Sequence, residues 1–274
     1  LLKGDGSKKD RIHANWCVVS VPSTQSFLRH IQLPKPAADV IEDDVLISAK
    51  KHIPFEADEY YIDWQIVSND QYGDVTDVLI GAIPRSVANL YTYLVESLGL
   101  GVIALEIEDL AIARSMITHG KVYEGEARAV LDLGATRSSL IVYDHDIIQF
   151  SIGLNFCGKA LTDAIATALK ITPAEAEKRK KKVGAEYKKG KGALFTIIKK
   201  MIDELAKEVE KAMHFYETHF PEPNKITHIT MCGGASNLSG LAEALSKKLA
   251  VEAAPGSVWK NLHNTKSLPC LLYT

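Results

Sequence analysis

The chain has 274 residues, of which 46% are hydrophobic and 24% are charged, and its formal net charge is -2. This composition excludes a disordered or fibrous protein, and the length allows two domains that each bury a core. The slightly acidic balance argues against a general nucleic-acid-binding protein.

Membrane insertion and secretion are also disfavoured by the sequence. No run approaches the roughly 20 apolar residues that a transmembrane helix needs, and the first residues, LLKGDGSKKD, carry no secretory signal. The cysteines at 17, 157, 232 and 270 are too far apart for a metal-ligand spacing or a compact disulfide framework. These features predict a reducing, cytoplasmic setting. Because a short polar stretch precedes the first strand-like run, we expect the chain to begin inside a fold.

The first half predicts a small α+β module over about residues 23 to 103. Strand-like runs are WCVVSV, SFLRHIQL, YIDWQIV and DVLIGAI. A helix is predicted from about Val40 to His52, where Pro54 stops it. A second helix ends before Gly99, a residue suited to a left-handed C-terminal cap. Its apolar residues are spaced by three and four: Val87, Leu90, Tyr91, Leu94, Val95 and Leu98.

The second half alternates strands with helices, which indicates an α/β sheet. ARAVLDL, SSLIVYD and IIQFSI predict a meander of strands, and TDAIATALKI predicts a helix with Thr162 as its N-cap. A long amphipathic helix is expected from about Leu194 to His219. The strand ITHITMC then leads through GGASNLSGL into another helix, LAEALSKKL.

The segment Asp132-Leu133-Gly134-Ala135-Thr136 is a candidate phosphate loop. Small residues between two strands let backbone N–H groups and a hydroxyl close on a phosphate. An aspartate at the end of a strand can order water around Mg²⁺, which keeps several waters when bound. An ordinary hairpin with a polar turn would show the same pattern.

Three further segments could approach a ligand. Gly233-Gly234-Ala235-Ser236-Asn237 joins a strand to a helix, and its glycines allow close backbone approach. Gly158 and Lys159 precede the helix predicted at TDAIATALKI. Glu177 and Lys180 are three residues apart, so on a helix they share a face and could both hydrogen-bond a ribose. The alternatives are a plain turn and a solvated charged helix.

The order of these segments resembles the second half of the actin superfamily. GKALTDAIATAL is similar to an actin helix, and AEKRKKKVG is similar to the MreB segment in which a Glu and a Lys hold the ribose. The resemblance implies ATP and Mg²⁺ as ligands, with Asp132 binding the metal through water. Glu108, in LEIEDLAIA, falls where MreB-type proteins place the acidic residue that positions the attacking water. The implied ATP-binding residues are Asp132, Gly134, Ala135, Thr136, Arg137, Gly158, Lys159, Glu177, Lys180, Gly233, Gly234 and Ala235.

Within this superfamily the first half is similar to PilM, a family of type IV pilus assembly proteins. The resemblance covers about residues 14 to 260 and includes AKKHIPFEADEYYIDWQIV and DVLIGAIPRSVANLYTYLVESLGL. It implies an actin-like (ribonuclease H-like) ATPase fold with a small inserted SHS2-type α+β subdomain. The expected domains are a remnant of the first lobe (1–22), the insertion (23–103), a helix returning to the first lobe (104–125) and the second lobe (126–274).

The family resemblance implies a platform protein at the inner face of the cytoplasmic membrane. It would bind ATP and capture the cytoplasmic N-terminal tail of PilN, with groove walls near residues 14–34 and 85–114. Other inner-membrane pilus assembly proteins and self-association are further expected partnerships, whereas nucleic acid is not expected. The basic stretch from Lys178 to Gly192 is interpreted as a solvated surface.

One departure from the superfamily pattern leaves hydrolysis open. The first of the two phosphate loops that actin-like proteins carry is not found, and SLPCLLYT stops short of the last family helix. Whether the chain is a weak ATPase therefore stays open. Two alternatives to a nucleotide-gated scaffold stay open: a small-molecule kinase of the same superfamily, with Glu108 as its only candidate catalytic carboxylate, and an FtsA-like division filament protein.

Overall fold

The computed structural model describes residues 14–52, 59–67, 73–185 and 192–261. The chain divides into two compact units, with the division between Ala111 and Ile112. The IPF segment at 53–55, residues 186–191 of the basic stretch and SLPCLLYT lie outside the described residues. None of the helices in the described ranges is long and apolar enough to cross a membrane.

Unit 1 contains an antiparallel sheet in the order β2-β4-β3, covered by helix α1. The strands are β2 (Phe27–Leu33), β3 (Tyr60–Ile66) and β4 (Thr76–Pro84), and α1 is Glu42–His52. Alternate residues of β2 and β4 face α1, as the period of two along a strand requires. The resulting small core comprises Ile31, Leu33, Val45, Ala49, Val78, Ile80 and Ala82.

A second, two-stranded sheet in unit 1 pairs β1 (Trp16–Val21) in parallel with β5 (Gly101–Ile107). Helix α2 (Arg85–Ser97) packs against this pair. The predicted C-terminal cap of α2 is confirmed, since Gly99 has a φ of 82°. Helix α3 (Glu108–Met116) follows β5 directly and contains the division between the units.

Unit 2 is built on a five-stranded sheet in the order β10-β9-β6-β7-β8. The strands are β6 (Glu126–Leu133), β7 (Ser138–Asp144), β8 (Ile147–Leu154), β9 (Lys225–Cys232) and β10 (Glu252–Pro255). The predicted meander β6-β7-β8 is confirmed as antiparallel, whereas β9 is parallel to β6. Asp132 and Cys232 are partners in that parallel register, so the loops after β6 and β9 leave the sheet side by side.

Four helices pack with this sheet around the largest core of the described residues. They are α4 (Gly158–Leu169), α5 (Pro173–Val183), α6 (Ala193–His219) and α7 (Leu241–Leu249). The predicted apolar stripe of α6 is confirmed. Its fully or nearly buried members are Ile198, Ile202, Leu205, Val209, Ala212 and Tyr216.

The prediction that Thr162 caps a helix is wrong. Helix α4 begins at Gly158, and its N-cap is Cys157, whose sulfur accepts a hydrogen bond from the Ala160 N–H at 3.4 Å. Thr162 lies inside the helix and is buried. The helix starts earlier because its first N–H groups are satisfied by carbonyls from another loop, so it does not need a threonine cap.

Candidate functional site

The loop from Gly134 to Arg137 connects β6 to β7 through a tight turn. The Gly134 N–H donates to the Arg137 carbonyl at 3.0 Å. A Cβ atom at position 134 would lie 2.5 Å from that same carbonyl oxygen, so only glycine fits without a backbone shift. Ala135, Thr136 and Arg137 are exposed. The turn thus presents its central residues to solvent.

Backbone hydrogen bonds attach this loop to the start of α4. The Gly158 N–H donates to the Gly134 carbonyl at 2.9 Å, and the Lys159 N–H donates to the Ala135 carbonyl at 2.7 Å. Together with the Cys157 cap, these bonds satisfy the three N–H groups of the first helical turn, which a helix leaves without internal partners. A phosphate at this place would therefore be bound by the loop and not by the N–H groups at the start of α4.

The loop after β9 lies close to the end of β6 and to the start of α4. Gly233 has a φ of +80°, and a Cβ there would lie 2.5 Å from both Asp132 Oδ1 and the Leu133 carbonyl oxygen. A Cβ at Gly158 would lie 3.5 Å from the Ala235 Cβ. The structure therefore brings together three separately predicted segments, around Gly134, Gly158 and Gly233.

A thiol contacts the candidate metal-positioning carboxylate. Cys232 Sγ donates to Asp132 Oδ1 at 3.6 Å. Burial raises the pKa of the Cys232 thiol, and the charge of Asp132 raises it further. The thiol therefore stays protonated and acts as a hydrogen-bond donor to Asp132.

Helix α5 contacts the first turns of α4 through Glu177 and Lys180. The Lys180 ammonium lies 2.5 Å from Glu177 Oε2, 3.0 Å from the Gly158 carbonyl oxygen and 2.9 Å from Thr162 Oγ1. Thr162 Oγ1 is itself 2.5 Å from Glu177 Oε2. Burial alone would raise the pKa of Glu177, but hydrogen bonds from Lys180 and Thr162 outweigh it and hold that pKa below its usual value. Glu177 is thus an ionised acceptor.

The end of α5 is joined to the segment that precedes α7. The Ala185 N–H donates to the Ser239 carbonyl at 2.6 Å. Gly184 has a φ of +63°, and a Cβ there would lie 2.6 Å from the same oxygen. Contacts therefore link, one after another, the candidate phosphate loop, the start of α4, helix α5, and the segment after Gly233–Ala235.

The other predicted residues have simpler surroundings. Lys159 is exposed and pairs with Asp163 at 2.7 Å, a hydrogen bond that raises the pKa of Lys159. Glu108 belongs to unit 1, where it begins α3 and its Oε2 accepts a hydrogen bond from the Ser23 N–H at 3.2 Å. Glu108 thus belongs to a different unit from the Gly134, Gly158 and Gly233 segments.

Sequence reasoning missed Thr162 and Cys232 as members of this site. The spacing of Thr162, four residues after Gly158 on a helix, was a usable signal, because such residues lie on one face. Cys232 directly precedes the glycine pair at the end of a strand that pairs with β6. No sequence pattern indicates a thiol–carboxylate contact across two strands.

Of the side chains at the candidate site, only the Asp132 carboxylate suits Mg²⁺. Within the described ranges, no three His, Cys, Asp or Glu side chains are grouped to hold a metal ion. Mg²⁺ is commonly held by one or two carboxylates, waters and substrate phosphates. Asp132 at the end of β6 fits that mode, because a single carboxylate acting through water is enough when a nucleotide supplies phosphate oxygens.

An open cavity of about 500 Å³ lies elsewhere in unit 2. It is lined by the C-terminal part of α6, the start of β9 and the α7–β10 turn, with Met213, Ile226 and Val251 among the apolar residues. None of the residues predicted to bind a nucleotide lines it. The candidate site lies instead at the carboxyl ends of β6 and β9.

The family described as type IV pilus assembly protein PilM matches residues 7–266 of the chain. The chain belongs to this family. Its general role is therefore type IV pilus assembly. A solved PilM–PilN type IV pilus biogenesis complex is 24% identical with a TM-score of 0.74, and the match covers 91% of this chain and 71% of that chain.

Two solved structures of MreB5 from Spiroplasma citri extend the comparison. The structure bound to AMPPNP is 16% identical with a TM-score of 0.51, covering 65% of this chain and 62% of that chain. The structure bound to ADP gives the same identity and TM-score, covering 65% and 63%. With the PilM match, they confirm the predicted α/β fold of the actin-like class.

Proposed function

We propose that this PilM family member is an ATP-binding scaffold that captures the cytoplasmic N-terminal tail of a PilN-type membrane protein. ATP binding is supported chiefly by one observation: the Gly134, Gly158 and Gly233 segments lie together at the carboxyl ends of β6 and β9. The nucleotides bound by the MreB5 structures support this assignment. The PilN of the matched complex supports the partner.

In this proposal each segment of unit 2 has a separate task. The exposed loop residues Ala135, Thr136 and Arg137 would bind the phosphates, and Asp132 would order water around Mg²⁺. The loop at Gly233 would let the adenosine approach the backbone closely. Glu177, an ionised acceptor, would accept a hydrogen bond from the ribose. When bound, Mg²⁺ would neutralise charge on the phosphates.

Asp132→Asn is expected to weaken binding of ATP–Mg²⁺ by roughly tenfold, because an amide is a poorer partner for metal-bound water than a carboxylate. Binding of ATP in EDTA should change little. Isothermal titration of both forms into wild type and variant tests this. Asp146→Asn, at the exposed β7–β8 turn, is the matched control and should bind like wild type. Absence of ATP binding to wild type would contradict the proposed nucleotide site.

The partner proposal is supported by exposed apolar side chains within unit 1. Helix α2 buries Ala88 on one face, yet Tyr93 is 73% exposed and Leu90 is 63% exposed. Leu94 is also exposed and continues this stripe at helical spacing. Exposed apolar stripes of this kind mark protein–protein contact sites. They lie within residues 85–114, one of the segments expected to bind a PilN-type tail.

Tyr93→Ser combined with Leu94→Ser is expected to lower the affinity for a synthetic PilN-type N-terminal peptide by about tenfold or more, because two anchor side chains are lost. Fluorescence anisotropy of a labelled peptide measures this, with and without ATP, since a nucleotide-gated scaffold changes its peptide affinity on ATP binding. Ile152→Ser removes an exposed apolar residue of unit 2 and serves as the control. Equal peptide affinity in both variants would count against α2 as the contact surface.

A membrane-anchored partner would also fix where the protein acts. A PilN-type tail emerging from the inner membrane would hold this chain at the cytoplasmic face. The distribution of the chain between membrane and soluble fractions, with and without the partner, tests this localisation.

A further inference from the structure

Three basic side chains of unit 2 lie around the ring of Tyr123. The Arg128 Cζ atom is 4.6 Å from the centroid of this ring, and the Lys121 Nζ atom is 5.0 Å from it. Burial lowers the pKa of Lys260, Tyr123 opposes this shift, and the charges of Arg128 and Lys121 add to it. Like charges lower the pKa of a lysine only when they are near it, so the three cations form one cluster.

Main-chain contacts of Asn261 hold the two lysines of this cluster in place. The side-chain amide of Asn261 donates to the Ile117 carbonyl at 2.6 Å, and its Oδ1 accepts from the His119 N–H at 3.0 Å. These bonds attach the segment that carries Lys260 to the connection between α3 and β6, which carries Lys121. The cluster is thus built from three segments of unit 2, because Arg128 belongs to β6.

The guanidinium of Arg128 is incompletely hydrogen-bonded. It has five N–H donors, and Nη2 donates to Glu126 Oε1 at 2.5 Å. Nε is buried and has no hydrogen-bond partner. Such a group calls for an explanation, and an ion that is not yet in place is one of the usual ones.

The cluster carries more positive than negative charge. In the part of the chain that the structure describes, Glu126 is the one carboxylate that forms an ion pair with any of the three cations. A hydrogen bond from Thr227, followed by one from Arg128, holds the pKa of Glu126 below its usual value, so this carboxylate is ionised. Three cations therefore share one anion, which leaves a surplus of two positive charges.

The cluster is open to solvent on its lysine side. Lys121 and Lys260 are exposed, and the Arg128 side chain keeps 12% of its surface exposed. It is separate from the candidate nucleotide site, because Arg128 precedes Asp132 by four residues on the same strand. At about 3.3 Å per residue, the two positions are about 13 Å apart.

We propose that Lys121, Arg128 and Lys260 form a second anion site, which binds a phosphate group near the amino end of β6. The planar fork of a guanidinium matches the oxygens of a phosphate, and ammonium groups donate to the oxygens that remain. A phosphate ester carries about -1.5 to -2 charges at pH 7, which offsets the surplus of the cluster. The group belongs either to a soluble phosphate ester or to the headgroup of a phospholipid.

The first test is isothermal titration of inorganic phosphate at constant ionic strength. Wild type is expected to bind it with a Kd of about 1 mM or below. Lys121→Gln combined with Lys260→Gln should weaken binding about tenfold or more, because charge-assisted hydrogen bonds are lost. Lys199→Gln combined with Lys207→Gln removes the same charge from exposed positions of α6 and should bind like wild type. The Gly134–Arg137 loop is the same in all three proteins, so it does not contribute to the difference.

The second test distinguishes the two sources of the phosphate group. Co-sedimentation with phosphatidylglycerol vesicles is compared with co-sedimentation with phosphatidylcholine vesicles. Loss of inorganic phosphate binding in the Lys121/Lys260 variant supports the site and a soluble ligand. Loss of phosphatidylglycerol binding alone supports the site and a lipid ligand. Equal behaviour of wild type and both double variants in both assays would overturn the proposal.

Thermal unfolding separates ligand binding from packing. Phosphate should raise the thermal midpoint of wild type and of the Lys199/Lys207 control, but not that of the Lys121/Lys260 variant. Without phosphate, the midpoint of the Lys121/Lys260 variant should not fall, because two like charges have left a crowded cluster. A lower midpoint with unchanged phosphate affinity would show that these lysines serve packing alone, and would overturn the proposal.

Discussion

Gly233→Ala should lower nucleotide affinity by roughly a hundredfold, equivalent to about 3 kcal/mol. It should also lower the free energy of unfolding by about 2 kcal/mol or more, since a left-handed φ alone costs a residue with a Cβ about 1–2 kcal/mol. The added methyl group would also meet Asp132 Oδ1 and the Leu133 carbonyl oxygen, each 2.5 Å away. Relief of this clash requires moving the β6 backbone that leads into the Gly134–Arg137 loop. Urea denaturation and ATP titration measure the two effects.

The neighbouring glycine provides a matched comparison. No heavy atom lies within 4 Å of a Cβ built on Gly234, and its φ lies outside the left-handed region. Gly234→Ala should therefore change the free energy of unfolding by less than about 0.5 kcal/mol. Equal stability of the two variants would contradict the close approach of the β9 loop to β6.

Asp144→Ala is expected to destabilise unit 2 by about 3 kcal/mol or more, because several buried donors would lose their acceptor. The Asp144 side chain is fully buried at the end of β7. Its carboxylate accepts from the Tyr216 hydroxyl, from the Asn224 N–H and side-chain amide, each at 2.9 Å, and from the His145 N–H at 2.8 Å. Thermal and urea unfolding of the variant measure the loss.

The same carboxylate should make stability depend on pH in the acid range. Burial would raise the pKa of Asp144, but hydrogen bonds from Tyr216 and Asn224 outweigh it, so the folded pKa lies below the unfolded value. Its stabilising contribution is therefore present above the unfolded pKa of about 3.9 and is lost as pH falls through the folded pKa. Asp144→Asn should flatten this decline. Asp146→Asn, at the exposed turn beside it, should retain the decline of wild type.

The elements of the fold were largely predictable from sequence because local patterns determine them. Short apolar runs predicted the strands of both units, and apolar residues spaced by three and four predicted α2 and α6. The parallel pairing of β6 with β9 is harder to predict from sequence, because nearly a hundred residues separate Asp132 from its strand partner Cys232. Predicting that the two loops meet required the likeness to a known fold.

The error at Thr162 has a physical cause. Threonine is a good N-cap when the first N–H groups of a helix have no other partner. Here the carbonyls of Gly134 and Ala135 supply partners to Gly158 and Lys159, so α4 starts four residues before Thr162. A local sequence pattern contains no information about acceptors that belong to a distant loop.

The pair Glu177 and Lys180 shows the same limit at the level of side chains. Helical periodicity correctly places both on one face of α5. It does not reveal that Thr162 and the Gly158 carbonyl, from another helix, occupy the donors of Lys180. The chemistry of each residue in a site depends on partners that only tertiary structure supplies.

Several of the contacts that shape the loops of the candidate site join main-chain atoms. The bonds from Gly134 to Arg137, Gly158 to Gly134, Lys159 to Ala135 and Ala185 to Ser239 are all of this kind. Most side chains on these loops can therefore change through evolution without altering the shape of the loops, provided the crowded glycines remain. Divergence in the family should accordingly be slow at Gly134 and Gly233, where a Cβ would lie 2.5 Å from a backbone oxygen. Ligand preference could then drift between relatives while the scaffold stays constant.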